Sequence, residues 1–110
     1  MKYKNTLQKG EIRYVVFREA GTWYAVGLEF NIVESGSTPQ EALLLLFEAL
    51  QGYIESARRI KARPQILNQK SDPEYEALWR AKRSQKRTAS KEIFSIGEYN
   101  IPSRRALAPA

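Results

Sequence analysis

Apolar and polar positions follow a strand-like pattern over the first third of the chain. Residues 12–18 are rich in β-branched and aromatic side chains, which favour strands. A turn around Gly21 separates them from a second run, 23–30, and a short third run, 32–35, ends at Gly36. The pattern predicts a three-stranded antiparallel meander. The better core face of its second strand carries Tyr24, Val26, Leu28 and Phe30.

A helix-start signal follows the third strand. Thr38 can accept a hydrogen bond from the backbone N–H of Glu41, whose side chain can reach back to Thr38, and Pro39 suits the first helical position. Apolar residues then recur every three or four positions, as in a helix that packs on a sheet. They are Leu43, Leu46, Phe47, Leu50, Ile54 and Ala57. We therefore expect a helix over 38–59, ended before Pro64.

The second half predicts one more helix and one more strand. Asp72 and Pro73 repeat the helix-start signal, which indicates a helix at about 72–88. Residues 93–101 alternate as a strand, and 102–110 are expected to be a flexible tail. One predicted face of that strand carries Phe94, Ile96 and Glu98, and the other carries Ile93, Ser95, Gly97, Tyr99 and Ile101.

These elements indicate a single α+β domain over residues 1–101 with its core at 11–63. The meander and the late fourth strand would form a small antiparallel sheet covered on one face by the 38–59 helix. The length of 110 residues, with 43% apolar and 27% charged residues, is typical of one globular domain.

Composition excludes several kinds of chemistry. The chain has no Cys and no His, so it offers no disulfide, no thiolate nucleophile and no imidazole base or metal ligand. Its carboxylates are scattered, and no glycine-rich phosphate loop is present. We therefore expect a protein that is not an enzyme and binds no cofactor.

Two features predict a cytoplasmic protein without a membrane span. The longest apolar run, 42–47, is far too short to cross a bilayer. The first residues lack the apolar stretch of a secretory signal.

The net charge of +6 is unevenly distributed. Residues 1–56 carry five basic against seven acidic side chains, whereas residues 57–110 carry thirteen against five. A basic run lies next to Trp79 and could bind single-stranded RNA, with phosphates on the cations and a base on the indole. Its residues are Arg80, Lys82, Arg83, Lys86 and Arg87. We favour the simpler interpretation that Trp79 packs inward, because one aromatic is a weak stacking array.

The apolar side chains exceed what one small core uses. Six of them are candidates for an interface with a partner or with a second copy of the chain. They are Tyr14, Phe17, Trp23, Tyr24, Leu44 and Leu45. The equally weighted alternative is that residues 64–110 fold back over them.

Residues 12–59 resemble the domain of HicB-type antitoxins. The aromatic-plus-small strand at 23–26, the glycine turn and the helix start Ser35-Gly36-Ser37-Thr38-Pro39-Gln40-Glu41-Ala42-Leu43 carry the likeness. Leu28-Glu29-Phe30-Asn31 replaces that family's Pro-Asp-Leu-Pro-Gly-like link, and the second half shows neither a ribbon-helix-helix nor a helix-turn-helix.

The resemblance implies a partial ribonuclease-H-like α+β layer without catalytic function. It also implies a partner, a small messenger-RNA-cleaving toxin of the HicA-like kind, which such a protein would neutralise by steric occlusion. The alternatives are a stand-alone nucleic-acid-binding protein that uses residues 80–87, and a protein of this fold that has no toxin.

Overall fold

Four strands form one antiparallel sheet with a helix on each face. The computed structural model describes residues 3–83 and 92–102. Its elements are β1 (Glu11–Glu19), β2 (Thr22–Gly27), β3 (Ile32–Gly36), α1 (Pro39–Arg59), α2 (Pro73–Arg83) and β4 (Glu92–Asn100), with 3-10 turns at Leu28–Phe30 and Pro64–Leu67. The strand order is β3-β2-β1-β4. The α+β class, the meander and the late fourth strand are thus confirmed.

A two-residue turn joins β1 to β2. Glu19 pairs with Thr22 across it. Both central residues have positive φ, 52° at Ala20 and 81° at Gly21. This is the type I′ geometry, whose twist matches that of the flanking strands. Ala20 adopts it at a steric cost, because its Cβ crowds the backbone there.

The prediction that the second strand continues to Phe30 is wrong. β2 ends at Gly27, and Leu28–Phe30 form a 3-10 turn followed by Asn31 at φ 53°. This turn aims the Glu29 side chain inward, where its Oε1 accepts a 2.7 Å hydrogen bond from the Arg13 backbone N–H. Leu28 and Phe30, expected on one face, therefore pack into different clusters.

A buried cluster lies on each face of the sheet, whereas the sequence predicted one covered face. The reason is that β1 carries three successive buried residues, Val15, Val16 and Phe17, whose side chains point alternately to the two sides. One cluster joins α1 to Val16 and Ala25, so α1 covers the opposite face of β2 from the one expected. The other cluster joins Leu78 and Trp79 of α2 to Val15 and Phe17.

The start of α1 follows the predicted capping pattern with one change of partner. Thr38 Oγ1 accepts from the Glu41 N–H at 3.1 Å, but the Glu41 carboxylate accepts from the Ser37 N–H at 2.9 Å rather than from Thr38. Leu43 and Phe47 of the predicted stripe are only half-buried. The fully buried stripe is Ala42, Leu46, Leu50, Ile54 and Ala57.

Strand β4 pairs with β1 through an irregular register. Val16 faces Ser95 and Phe17 faces Ile93, so Phe94 has no opposite residue. This extra residue is a β-bulge, which shifts the alternation of the side chains by one. The predicted faces are therefore wrong at this point: Ile93 packs with Ile96 on the α2 side, whereas Phe94 lies against Trp23 on the α1 side.

Arg13 connects α2 to the sheet. Its Nη1 and Nη2 donate to the two carboxylate oxygens of Glu76 at 2.5 and 3.0 Å, and its Nε donates to Glu29 at 2.6 Å. Ser71 donates a further hydrogen bond to Glu76. The hydrogen bond from Arg13 is the main cause that lowers the pKa of Glu76. This bidentate arrangement fixes both the position and the rotation of α2.

The first described residues are held by a buried amide. Asn5 is fully buried; its Oδ1 accepts from the Glu11 N–H at 2.8 Å and its Nδ2 donates to the Leu67 carbonyl at 2.9 Å. The Asn68 side chain accepts a hydrogen bond from the Asn5 backbone N–H through its Oδ1 and donates one to the Asn5 carbonyl through its Nδ2. The segment before β1 is thereby attached to the turn after α1.

Candidate protein-binding face

Five aromatic rings lie on the α1 side of the sheet, towards β4, where α1 covers the sheet less than it covers β2 and β3. Phe47 contacts Tyr14 and Tyr99, with ring centroids 5.4 and 5.2 Å apart, and Trp23 contacts Phe94 at 5.8 Å. Phe94 is 47% exposed and the other four are half-buried. We call these five residues the aromatic strip.

Gly97 allows the strip to lie flat on β4. A Cβ at this position would come within 2.6 Å of Tyr14 Cζ, inside van der Waals contact. Gly97 is also the residue that pairs with Tyr14 across the ladder. The Tyr14 ring therefore occupies the space that a side chain at 97 would need.

The strip borders the β4 edge of the sheet, with which no further strand pairs among residues 3–83 and 92–102. β4 is the last strand in the order and spans nine residues, of which only Glu92 and Glu98 are charged. Such an edge presents backbone N–H and C=O groups to a further strand. Among the described residues of this edge, the bulge at Phe94 and the charges of Glu92 and Glu98 oppose pairing with a further strand.

The rim of the strip is acidic. Arg18 lies over the Trp23 ring at 5.9 Å and 3.9 Å from Glu92. Burial, and then the charge of Glu55, raise the pKa of Tyr99. The pKa of Tyr14 is raised in the same way, with Glu98 as the charge. Glu55 and Glu92 thus form the acidic rim of the strip beside the Arg18 guanidinium, whereas Glu98 pairs with Arg13, whose side chain lies on the α2 side of the sheet.

Only two of the six predicted interface residues, Tyr14 and Trp23, belong to the strip. Leu44, 60% exposed, precedes Phe47 by three residues and so lies on the same flank of α1. Leu45, 37% exposed, is one residue further round and points to the other flank.

Phe17 and Tyr24 lie on the opposite side of the sheet from the strip. Phe17 is 2% exposed in the cluster under α2, and Tyr24 stacks on it at 5.5 Å. The alternative that the second half of the chain covers the apolar residues is correct for Phe17.

Sequence reasoning missed Phe47, Phe94 and Tyr99 as strip members. All three stand at apolar positions of predicted elements, so pattern alone assigns them to a core. Their exposure depends on β4 being an edge and on the angle at which α1 crosses the sheet, neither of which periodicity reports.

The basic run is divided by the structure. Arg80, Lys82 and Arg83 are exposed on α2, whereas Lys86 and Arg87 lie outside the described residues. Trp79 is 6% exposed and has the guanidinium groups of Arg13 and Arg83 over its ring at 5.1 and 5.2 Å. A base cannot stack on it, which agrees with the inward-packing interpretation.

Comparison with known proteins gives no relative: no protein-family model, no curated protein and no solved structure matches this chain. Within residues 3–83 and 92–102, no group of three potential ligands could hold a metal ion. No helix in that part of the chain is both long and apolar enough to cross a membrane.

Proposed function

We propose that this chain is a HicB-like antitoxin-type binding protein. It neutralises a small messenger-RNA-cleaving, HicA-like toxin in the cytoplasm by covering the toxin's RNA-binding surface, and it carries out no catalysis itself. The partial ribonuclease-H-like layer belongs to this proposal. The observation that carries the proposal is the aromatic strip with its acidic rim, next to the β4 edge, with which no other described strand pairs.

Charge favours a protein partner over RNA at this face. A protein that cleaves RNA needs a cationic surface to hold phosphates. The carboxylates of Glu55 and Glu92 complement such a surface and would repel RNA itself. The aromatic rings provide the apolar centre that interfaces enrich, and β4 offers a strand for edge pairing.

Steric occlusion needs no reactive group on the inhibitor, which suits a chain without His or Cys. Burying Phe94 and the exposed parts of Trp23 and Tyr99 supplies affinity, and the acidic rim directs the approach. Mutation of the rim is then expected to change the association rate, and mutation of the rings the dissociation rate.

The test is rescue of growth. The small open reading frame adjacent to this one is expressed alone and then together with wild type, Phe94→Ala or Val33→Ala. Val33 is a matched control, because it is also an exposed apolar residue, 43%, on the opposite edge strand. We expect toxicity that wild type and Val33→Ala relieve and Phe94→Ala relieves poorly, with the pair co-purifying in high salt.

Equal rescue by both variants would remove the strip as the interface. No toxicity, or no rescue by wild type, would end the antitoxin proposal and leave a protein of this fold without a toxin.

The second candidate function is RNA binding by the basic run. It is favoured by the exposure of Arg80, whose side chain is 74% exposed, together with Lys82 and Arg83. Five phosphate contacts would give a log–log salt slope of about −3 to −4 for a single strand. If changing all five cations to Gln leaves RNA retention unaltered, this candidate is lost.

A further inference from the structure

A cleft of about 470 Å³ runs along one flank of α2. Its helical residues are three or four positions apart in sequence, so they share one side of the helix. They are Pro73, Glu76, Ala77 and Arg80, and Lys70 and Ser71 of the loop before α2 complete the lining. We call this space the α2 cleft. Its volume is typical of sites that bind small molecules.

The loop that carries Lys70 is fixed to the turn after β2. Asn31 Nδ2 donates a 3.1 Å hydrogen bond to the Lys70 carbonyl and a 3.2 Å hydrogen bond to Gln69 Oε1. On the other side of Lys70, the Ser71 hydroxyl donates to the Glu76 carboxylate. The backbone at Lys70 is therefore held in place before any ligand binds, which lowers the entropic cost of binding there.

The two cations of the cleft have unused hydrogen-bond donors. The Arg80 side chain is 74% exposed, and its Nε lies 3.9 Å from Glu76 Oε1, beyond hydrogen-bond distance. Within residues 3–83 and 92–102, the Lys70 ammonium has no hydrogen bond or ion pair. The side chain of Ala77, on the same helix flank as Arg80, is a single methyl group and leaves space beside the guanidinium. Both cations can therefore turn towards an anion in the cleft.

The carboxylate in the lining does not cancel these two charges. Both oxygens of Glu76 accept hydrogen bonds from the Arg13 guanidinium, at 2.5 and 3.0 Å. Arg13 also bonds to Glu29, which has Lys4 as a second cation at 4.0 Å. Asp72 is turned to the helix terminus, where it accepts a backbone N–H at 2.8 Å. Among the residues that the structure describes, no carboxylate besides Glu76 lines the cleft, so its charge is positive.

We propose that the α2 cleft binds a phosphate dianion, carried by a small phosphate monoester or present as free phosphate. A monoester has a charge of about −1.5 to −2 at neutral pH, which matches the two cations, whereas a diester has a single negative charge. The forked donors of Arg80 suit phosphate oxygens, and Lys70 supplies a mobile point charge. This site lies outside the interface proposed above and does not depend on it.

The test uses the complete, unaltered protein and two ligands that differ by one methyl group. Methyl phosphate, a monoester, and dimethyl phosphate, a diester, are titrated at about pH 7.5 and constant ionic strength. NMR follows the backbone amides of Ser71 and Ala77 and the Nε–H of Arg80. Methyl phosphate is expected to shift these signals saturably at millimolar concentrations, and dimethyl phosphate to bind about tenfold more weakly or worse. Inorganic phosphate forms a third titration that identifies the source of the dianion.

Variants locate the site. Ala77→Glu places a carboxylate beside Arg80 at an exposed position of α2 that favours helix formers, and it is expected to abolish saturable binding. Arg80→Gln is expected to weaken methyl phosphate about fivefold. Lys82→Gln is the matched control, because it removes the same charge from an exposed position of the same helix outside the cleft. Its affinity should stay within about twofold of wild type.

The absence of a saturable shift at these N–H groups, or equal weakening by Arg80→Gln and Lys82→Gln, would overturn the proposal. Equal binding of the two esters would also overturn it and would favour the RNA-binding candidate, since Arg80 belongs to the basic run. Tighter binding of inorganic phosphate than of methyl phosphate keeps the proposal and assigns the site to the free ion.

The comparison of the two esters is made on the wild-type protein, so it holds even if a variant folds poorly. Growth rescue by the unaltered protein is unaffected by any of these results. Failure of the phosphate site and failure of the proposed function are therefore distinguishable.

Discussion

The attachment of α2 to the sheet through Arg13 can be measured by two substitutions of unequal cost. Glu76→Gln keeps the shape and one acceptor but removes the charge, and we expect a loss of about 1–2 kcal/mol. Arg13→Gln also removes the guanidinium from the Glu29 carboxylate, whose side chain is 10% exposed, and leaves it the backbone N–H of residue 13 at 2.7 Å and Lys4 at 4.0 Å. Removing one partner of a buried ion pair costs about 3–5 kcal/mol, so this variant should lose more.

The loss of stability in Glu76→Gln should depend on pH with a definite sign. The pKa of Glu76 in the folded protein lies below its ordinary value, first because Arg13 hydrogen-bonds to it. The stabilisation is therefore complete above the ordinary pKa and is lost as pH falls through the folded pKa. The difference between wild type and Glu76→Gln should be largest near neutral pH and shrink in acid.

Urea unfolding at about pH 7 and about pH 3.5 measures both quantities, because the midpoint and slope give the free energy of unfolding in each condition. Taking the difference between the two proteins cancels the titration of their common carboxylates. Glu48→Gln, on the exposed face of α1, is the control and should lie within about 0.5 kcal/mol of wild type. Equal losses for the two variants, or a difference that does not change with pH, would refute the reasoning.

Four further substitutions test three local features of the backbone. Ala20→Asn should raise the free energy of unfolding by about 0.5–1 kcal/mol, because Asn tolerates positive φ better than Ala; calorimetry that shows no rise in melting temperature would contradict the type I′ turn. Gly97→Ala should lower the free energy of unfolding by about 1–3 kcal/mol, because the new Cβ clashes with Tyr14. Its control, Gly52→Ala, adds a Cβ in open space on α1 and should raise the free energy of unfolding by about 0.5–1 kcal/mol. Thermal melts in which both variants shift the melting temperature in the same direction would exclude the close approach at residue 97. Asn5→Ala should cost about 2–3 kcal/mol by leaving two buried backbone groups unpaired, and hydrogen exchange of the Glu11 amide should speed up with it; an unchanged exchange rate would argue against that bond.

Local chemistry explains which parts of the fold could be predicted from the sequence. The start of α1 depends on Thr38, Pro39 and Glu41, which lie within one turn of each other, so a short sequence window contains the whole signal. The start of α2 follows in the same way from Asp72, whose side chain accepts from the Glu74 N–H.

Features that depend on distant partners were out of reach. The inward turn of Glu29 is satisfied by Arg13, sixteen residues away, and the bulge at Phe94 exists only in the pairing with β1. Alternation cannot tell a strand with one covered face from one with two. Two of the five residues of the aromatic strip, Tyr14 and Trp23, were therefore predicted as interface residues. The sheet edge that exposes Phe94 was not predicted.

The pairing of β1 with β4 sets an order of events during synthesis. β1 is made well before its partner strand β4, since Glu11 pairs with Asn100. At about 5–20 residues per second, β1 waits several seconds with one edge open and its valines uncovered. A chain that stops before residue 92 would keep that edge and be prone to association. The strand that completes the sheet also bears the proposed binding edge, so the finished fold and the ability to bind would arise at the same step.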